Sequence, residues 1–354
     1  MSDSIEALIN GPVTVVGCHA EGEVGDVVVG GFVTPPGATI AEQSKWIQSD
    51  KRIWRFLHNE PRGGVFRHFN LLVPAIDPTA ALGFIIMEPE DTPLMSGSNS
   101  MCVATVAIET GIVAMTEPLT TIRIEAPAGV VEATAECRNG KVESVSVRNV
   151  ASFADPDPVP LHVPGIGDIP VWTAWGGDSF VITEAESLGV GIDPTNGREL
   201  AELGSRVTAA ANDQLRFEHP TNGWDHFSFC QIAGPLSRLE DGVFAMTNTV
   251  VVEPGKLDRS PTGTGVSARM ALLHSQGVMT VGDQLRMTSI IGSRFTGEIA
   301  GVTTVGDRVA IVPDISGRAW RTGITVHNFD PTDPYPQGYR VSDTWPTPNG
   351  ATLA

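Results

Sequence analysis

The sequence predicts a strand-rich α/β chain made of two similar halves, each organised around one apolar helix. Three observations predict it. Short β-branched runs alternate with turn residues along most of the 354 residues, and 38 Gly and 26 Pro supply the turns. The length suits about two domains on a prior of ~150 residues each. Finally, an apolar helical segment opened by a hydroxyl residue and a Gly occurs twice, 166 positions apart (262 − 96).

Taken in order, PVTVVG reads as a strand, HAEGEVG as a loop and DVVVGGFV as a second strand. The polar stretch IAEQSKWIQSDKRIWRFLHNE is compatible with helix, and after PRGG the runs FRHFNLLVP and LGFIIME read as strands. A helix follows over residues 104–110. TIRIEAP, VVEATAEC and VESVSVRNV alternate with period two around an Asn139-Gly140 turn, the signature of β-hairpins. The Pro- and Asp-rich residues from Phe153 to Pro164 read as the crossing between halves. Beyond it come strands IPVWTAWGG and SFVIT, a helix over about 196–212, strands HFSFCQIAG and NTVVVEP, and a second apolar helix at RMALLH. The expected domains are therefore 1–160 and 161–324, with the tail 325–354, including SDTWP, returning to the first half.

A formal charge of −18 argues against nucleic acid, whose phosphates require clustered Lys and Arg, so a small-molecule partner is expected. The four cysteines, Cys18, Cys102, Cys137 and Cys230, form no C-x-x-C pair and read as free thiols. The N-terminus lacks an apolar signal core, and no run of ~18 apolar residues occurs, so neither export nor membrane insertion is expected and the protein is read as cytoplasmic.

The two helical segments align without a gap. MSGSNSMCVATVAIETGIV (Met95 to Val113) sets Ser96 against Thr262, Gly97 against Gly263, Cys102 against Ala268 and Gly111 against Gly277 of PTGTGVSARMALLHSQGVM (Pro261 to Met279). Ser96 and Thr262 thus stand at helix N-termini, where unpaired amides and the positive dipole end favour an anion such as a carboxylate. Plain capping is the alternative role for both. Cys102 lies about six residues, or ~9 Å, into its helix and reads as core filling rather than as a nucleophile. His19, Glu21, Glu23 and His68 could be written as metal ligands, but no spacing sets two of them on one helical face, and no metal is expected. No G-x-G-x-x-G follows a strand, so no dinucleotide is expected either.

DRSPTGTGVSARMA (Asp258 to Ala271) resembles the second active-site motif of the proline racemase family, with Thr262 where a catalytic cysteine is usual. MSGSNS resembles that family's Met-Cys-Gly-His motif, with Ser96 at the cysteine and Ser98 at the histidine. HAEGE, EPRGG, WGGDSF and GSRFTG resemble further landmarks, so the likeness runs through most of the chain. It implies a diaminopimelate-epimerase-like fold, two pseudo-symmetric domains with a curved sheet around a central helix, and substrate held in the cleft between them. It also implies that no cofactor is needed, that the substrate is a cyclic imino acid, and that the protein forms a homodimer. By resemblance, Asp258 contacts the ring nitrogen and His226 is a substrate contact; a turn role for Asp258 and a structural role for His226 stay open. Gly97, Ser98, Gly263 and Thr264 offer amides to the carboxylate, and Asp178, after a Gly-Gly turn, is a further candidate contact.

Hydroxyls at both 96 and 262 exclude the two-thiol racemisation that the resemblance implies. Thr262 matches the family's trans-3-hydroxy-L-proline dehydratases. In that substrate the Cα hydrogen and the 3-hydroxyl share a ring face, so one group can take the proton and return it to the leaving oxygen, giving an enamine that tautomerises to Δ1-pyrroline-2-carboxylate. The leading expectation is this hydro-lyase, with Ser96 as the acid–base residue and Thr262 acting by shape and hydrogen bonding. A proline or 4-hydroxyproline racemase or epimerase, and a non-catalytic binder of proline analogues, are the alternatives. Ser96 needs a helper base, for which His19, Glu21, His226 and Asp178 are candidates, each weak alone.

Overall fold

The computed structural model describes residues 4–346. The described residues form two compact units: one takes in 4–20, Val24–Val145 and 318–346; the other takes in Glu21–Glu23 and Ser146–Gly317.

In the first unit, strand Ile9–Ala20 pairs with Ala319–His327 on one side and with Glu23–Phe32 on the other. The sheet continues through Arg67–Val73, Leu82–Met87, Leu119–Ala126 and Gly129–Arg138 by alternating parallel and antiparallel pairings. The reach read as a loop at HAEGEVG is a two-residue turn, because Glu21 and Gly22 both take positive φ (48° and 98°), the geometry that lets strands run up to a tight hairpin. The expected long helix is broken in two, Ile40–Asp50 and Arg52–His58, at Lys51 with φ 60°. Helix Gly97–Glu109 runs against strands of this unit, and every residue from Gly97 to Ile108 is buried. It ends at Gly111, whose φ of 78° is the left-handed exit that Gly takes most readily. Cys102 is fully buried on this helix and is core, not surface nucleophile.

In the second unit, strand Gly167–Trp175 pairs with Phe153–Ala154, Val159–Val163 and Ser179–Glu184. The sheet proceeds through Phe229–Ala233 and Val243–Val252 to Gln284–Thr288, Arg294–Val305 and Arg308–Gly317. Helix Gly263–Ser275 is buried from Gly263 to Leu273 and packs on strands of its own unit, and Gly277 repeats the exit with φ 72°. Both central helices have 13 residues. Their faces are apolar nearly all round because strands surround them.

The expected boundary at 160 is corrected to Val145/Ser146. The Phe153–Pro164 stretch holds two strands of the second unit, Phe153–Ala154 and Val159–Val163, rather than a crossing, and Asn149 and Ser152 already donate backbone hydrogen bonds to Pro313 and Ile311. The return to the first unit begins at Arg318, before the expected 325, since Ala319 starts the strand that pairs with Ile9–Ala20. Farther on, Tyr339 bridges Glu60, and Arg340 bonds Asn59 and lies 3.8 Å from the ring of the buried Trp345. Residues 347–354 of the tail and residues 1–3 lie outside the described residues. Among the described residues no helix is long and apolar enough to cross a membrane.

Candidate active site

Ser96 is the N-cap of the first central helix, with extended backbone (φ −148°, ψ 123°), as a capping residue requires. Its Oγ accepts from the Asn99 amide at 3.5 Å and, more closely, from the Asn99 side-chain Nδ2 at 2.9 Å, while Ser98 Oγ stands 3.4 Å away. Asn99 is the third helical residue, so its side chain folds back over the cap as the partner in a capping box does. Strand Arg67–Val73 supports it: His68 and Asn70 are two apart and share a face. Asn70 Nδ2 donates to Asn99 Oδ1 at 2.8 Å, and His68 Nδ1 lies 3.4 Å from Asn99 Nδ2. The antiparallel pairing of Phe69 with Met87 sets His68 beside Glu88, whose Oε1 is 3.5 Å from His68 Nδ1. All five side chains, Ser96, Asn99, Asn70, His68 and Glu88, are buried. Glycine at 25 leaves room for this network, since a Cβ there would stand 2.8 Å from Asn99 Oδ1.

Thr262 occupies the matching position of the second helix, and the alternative role of plain cap does not hold for it: its side chain makes no capping hydrogen bond. The cause is its backbone. Thr262 has φ 61° and ψ 104°, a region that a β-branched residue adopts only under strain. Surrounding bonds impose it: Asn248 Nδ2 donates to the Pro261 carbonyl at 2.9 Å, and the Thr262 amide donates to Ser260 Oγ at 3.0 Å. The Thr262 hydroxyl is turned back and donates to Asp258 Oδ2 at 2.6 Å, while Asp258 Oδ1 accepts from the Ser260 amide at 2.8 Å. The two hydroxyls therefore differ in engagement. Ser96 Oγ accepts; Thr262 Oγ1 donates.

Asp258 is buried beside an ion pair of Glu23 with Lys256, and Glu23 also accepts from the Arg259 amide at 2.8 Å. Burial, reinforced by the Glu23 charge, pushes the Asp258 carboxyl up to about 7, against the opposing pull of Lys256 and of the Thr262 and Ser260 hydrogen bonds. A carboxyl that titrates near neutrality while bonded to a hydroxyl at a helix start is equipped for proton transfer.

Gly263 and Thr264 open the second helix, so their amides have no carbonyl partners within it. Gly176 passes so close that a Cβ there would lie 2.0 Å from the Thr264 oxygen, and only glycine fits. Asp178 follows it, buried, with Oδ1 accepting from the Ser179 amide at 2.7 Å. Ser179 Oγ donates to the His226 carbonyl at 2.7 Å, which ties His226 to this corner by its backbone. The His226 ring itself is half-exposed and stacks on Trp224, with centroids 4.6 Å apart.

The sequence thus places Ser96, Gly97 and Ser98 together in one unit and Asp258, Thr262, Gly263, Thr264 and Asp178 in the other. Of the other residues weighed, His19 stacks on Trp320, Glu21 accepts from the Arg294 amide and Glu23 pairs with Lys256. The side chains around Ser96 are instead Asn99, Asn70, His68 and Glu88. Their signals were available: a polar third residue after a Ser cap, and the alternation in Arg-His-Phe-Asn.

A mixed α+β chain of two units, each with a hydroxyl at the buried start of its central helix, has the build of the diaminopimelate-epimerase-like folds. A phenazine biosynthesis protein of the PhzF family from Bacillus anthracis shares that fold at 13% identity, with TM-score 0.55 over 90% of this chain and 99% of that one. Two other solved structures are far more similar. A probable proline racemase from Agrobacterium radiobacter K84, with bound carbonate, is 36% identical with TM-score 0.88, over 94% of this chain and 98% of its own. A hydroxyproline epimerase from Agrobacterium vitis, with bound trans-4-hydroxy-L-proline, is 35% identical with TM-score 0.89, over 96% and 98%. Residues 15–340 match the proline racemase family model, and the chain belongs to the proline racemase family.

Proposed function

We propose that the protein is a hydro-lyase that converts trans-3-hydroxy-L-proline to Δ1-pyrroline-2-carboxylate and water. The observation that carries this reading is the unequal engagement of the two hydroxyls. Thr262 donates its hydroxyl hydrogen bond to Asp258, whereas Ser96 Oγ accepts from Asn99, a donor that stabilises the deprotonated oxygen a base needs. One acid–base group is enough for a syn elimination. With Ser96 deprotonated by a helper base, its Oγ⁻ takes the Cα proton, the C–H electron pair forms the C2–C3 double bond, and the 3-hydroxyl leaves with the proton that Ser96 returns, which restores the Ser96 anion. The products are water and an enamine that tautomerises to the imine. Proton transfer of this kind contributes about 10²–10⁴-fold, and amide donors facing the enolate-like carboxylate supply much of the remainder. In this assignment the amides of Gly97 and Ser98, beside Ser96 in the first unit, serve the carboxylate.

A second reading, epimerisation at Cα, is favoured by Asp258. A carboxyl titrating at about 7 behind Thr262 could reload that hydroxyl with protons and so supply a second acid–base group. The 35% identical hydroxyproline epimerase from A. vitis holds trans-4-hydroxy-L-proline. Incubation in D2O with NMR separates the readings. Dehydration consumes trans-3-hydroxy-L-proline and yields the imine; epimerisation puts deuterium at Cα of 4-hydroxyproline without loss of water. Unchanged trans-3-hydroxy-L-proline at high enzyme concentration refutes the lyase. No turnover of any proline analogue, with thermal stabilisation by pyrrole-2-carboxylate, would leave a binding protein.

A further inference from the structure

We propose that His68 is a positioning residue for Ser96, acting through the side-chain amide of Asn99. The inference rests on the reading of Ser96 as the acid–base group and names what prepares it. A serine hydroxyl is a weak base, and its deprotonated form must be stabilised by donors aimed at the oxygen. Asn99 Nδ2 is such a donor, 2.9 Å from Ser96 Oγ, but an amide can present either end. Two contacts choose the end. Asn70 Nδ2 donates to Asn99 Oδ1, which holds the oxygen away from Ser96. His68 Nδ1, 3.4 Å from Asn99 Nδ2, accepts the second amide hydrogen when its ring proton is on Nε2; Glu88 Oε1, 3.5 Å from the same nitrogen, draws the proton to Nδ1 instead, and in that tautomer the contact with Asn99 is lost. Turned over, the amide would present its oxygen to Ser96 and withdraw the donor from the charge that develops there.

The arrangement follows from fold elements rather than from chance rotamers. His68 and Asn70 share one face of their strand, and the Phe69–Met87 pairing fixes Glu88 beside the imidazole. These side chains are buried at 6% exposure or less, so water does not replace the contacts. Nothing of the kind backs Thr262, whose hydroxyl is served by a carboxylate.

A thiol at position 96 reports the effect without relying on turnover. The four native cysteines are at most 3% exposed against 9% for Ser96 at its helix start, so Ser96→Cys presents the more accessible thiol, whose iodoacetamide alkylation can be followed against pH. Its pKa is expected below the usual ~8.5. Adding His68→Gln, which leaves no acceptor where Nδ1 stands, is expected to raise that pKa by about one unit, a tenfold loss of thiolate at neutral pH. His68→Asn, whose amide oxygen takes the Nδ1 position, is expected to restore it. Asn99→Ala is expected to match His68→Gln and serves where the histidine variants do not fold. In the Ser96 enzyme, His68→Gln is expected to lower kcat about tenfold with KM unchanged. Alkylation profiles that ignore both His68→Gln and Asn99→Ala, or that shift equally for Gln and Asn at 68, overturn the proposal. A wild-type protein inert towards hydroxyprolines would remove the functional reading while the thiol profiles still decide the positioning role.

Discussion

Replacing Asp258 by Asn tests the electrostatics of the second unit most directly. In the folded protein the carboxyl titrates at about 7, against an ordinary value of 3.8, because it is buried and faces Glu23. Its folded pKa is raised, so between pH 4 and 7 the unfolded chain has released a proton that the native state retains. Stability then falls with rising pH, at about 1.4 kcal/mol per pH unit for one proton. Across the window the loss is on the order of 4 kcal/mol, and above pH 7 it is complete. Asn is neutral throughout and escapes it. Asp258→Asn is therefore expected to gain on wild type as pH rises, by on the order of 10 °C in Tm between pH 4.5 and 8 for a unit of this size. Any constant offset from the altered bonds to Ser260 and Thr262 cancels in this comparison. Differential scanning calorimetry of both proteins at half-unit pH steps measures it. A Tm difference that does not change with pH would refute the reasoning, since it would mean that Asp258 keeps an ordinary carboxylate pKa.

Other substitutions separate chemistry from structure. Ser96→Ala is expected to abolish turnover, by about 10²-fold or more, while pyrrole-2-carboxylate still raises the Tm, because the amides of Gly97 and Ser98 remain; an active Ser96→Ala enzyme would move the base elsewhere. Ser96→Cys is expected to preserve or increase dehydration, since a thiol is the stronger acid. Thr262→Val removes the hydroxyl that stabilises the Asp258 anion, so it should raise the Asp258 pKa further and shift the corresponding limb of the pH–rate profile upward, with partial activity retained. Leu272→Ala, at a fully enclosed site on the second helix, is expected to cost about 2–5 kcal/mol in chemical denaturation and to leave the substrate affinity of the folded fraction unchanged.

Much of the fold was legible because local rules and tertiary structure agree. The hydroxyl-Gly openings, the apolar helices and the positive-φ exits at Gly111 and Gly277 are all local signals, and so is the Asn139-Gly140 turn, with φ of 54° and 73°. The last strand was not legible. Ala319–His327 has nearly every residue exposed after its first, and a strand without a buried face shows no alternation. The unit boundary was misplaced because Pro and Asp were taken as linker signals, although Val159–Val163 pairs along its length with Gly167–Val171. At the site, the positions of Ser96 and Thr262 were readable from the repeat, but their hydrogen-bond directions were not. Those depend on the backbone of Thr262, which bonds to residues from other elements impose, and on the register of Phe69 with Met87, which brings His68 and Glu88 to Asn99.

The same aligned position therefore has two chemistries in one chain. At 96 an extended backbone points the hydroxyl along the helix axis, where the third residue can support its oxygen and the helix dipole favours negative charge. At 262 the left-handed backbone rotates the hydroxyl out of the cap and into the carboxylate four residues earlier. A thiol would respond differently at the two places: favoured as thiolate at 96 by amide donors, disfavoured at 262 by the negative charge that Asp258 acquires above about 7. Restoring a cysteine at 262 alone is thus expected to yield a thiol with a pKa above that of Ser96→Cys, read by iodoacetamide alkylation against pH. An alkylation pKa for Thr262→Cys at or below that of Ser96→Cys would contradict this, because it would mean that the ionised Asp258 does not oppose the thiolate.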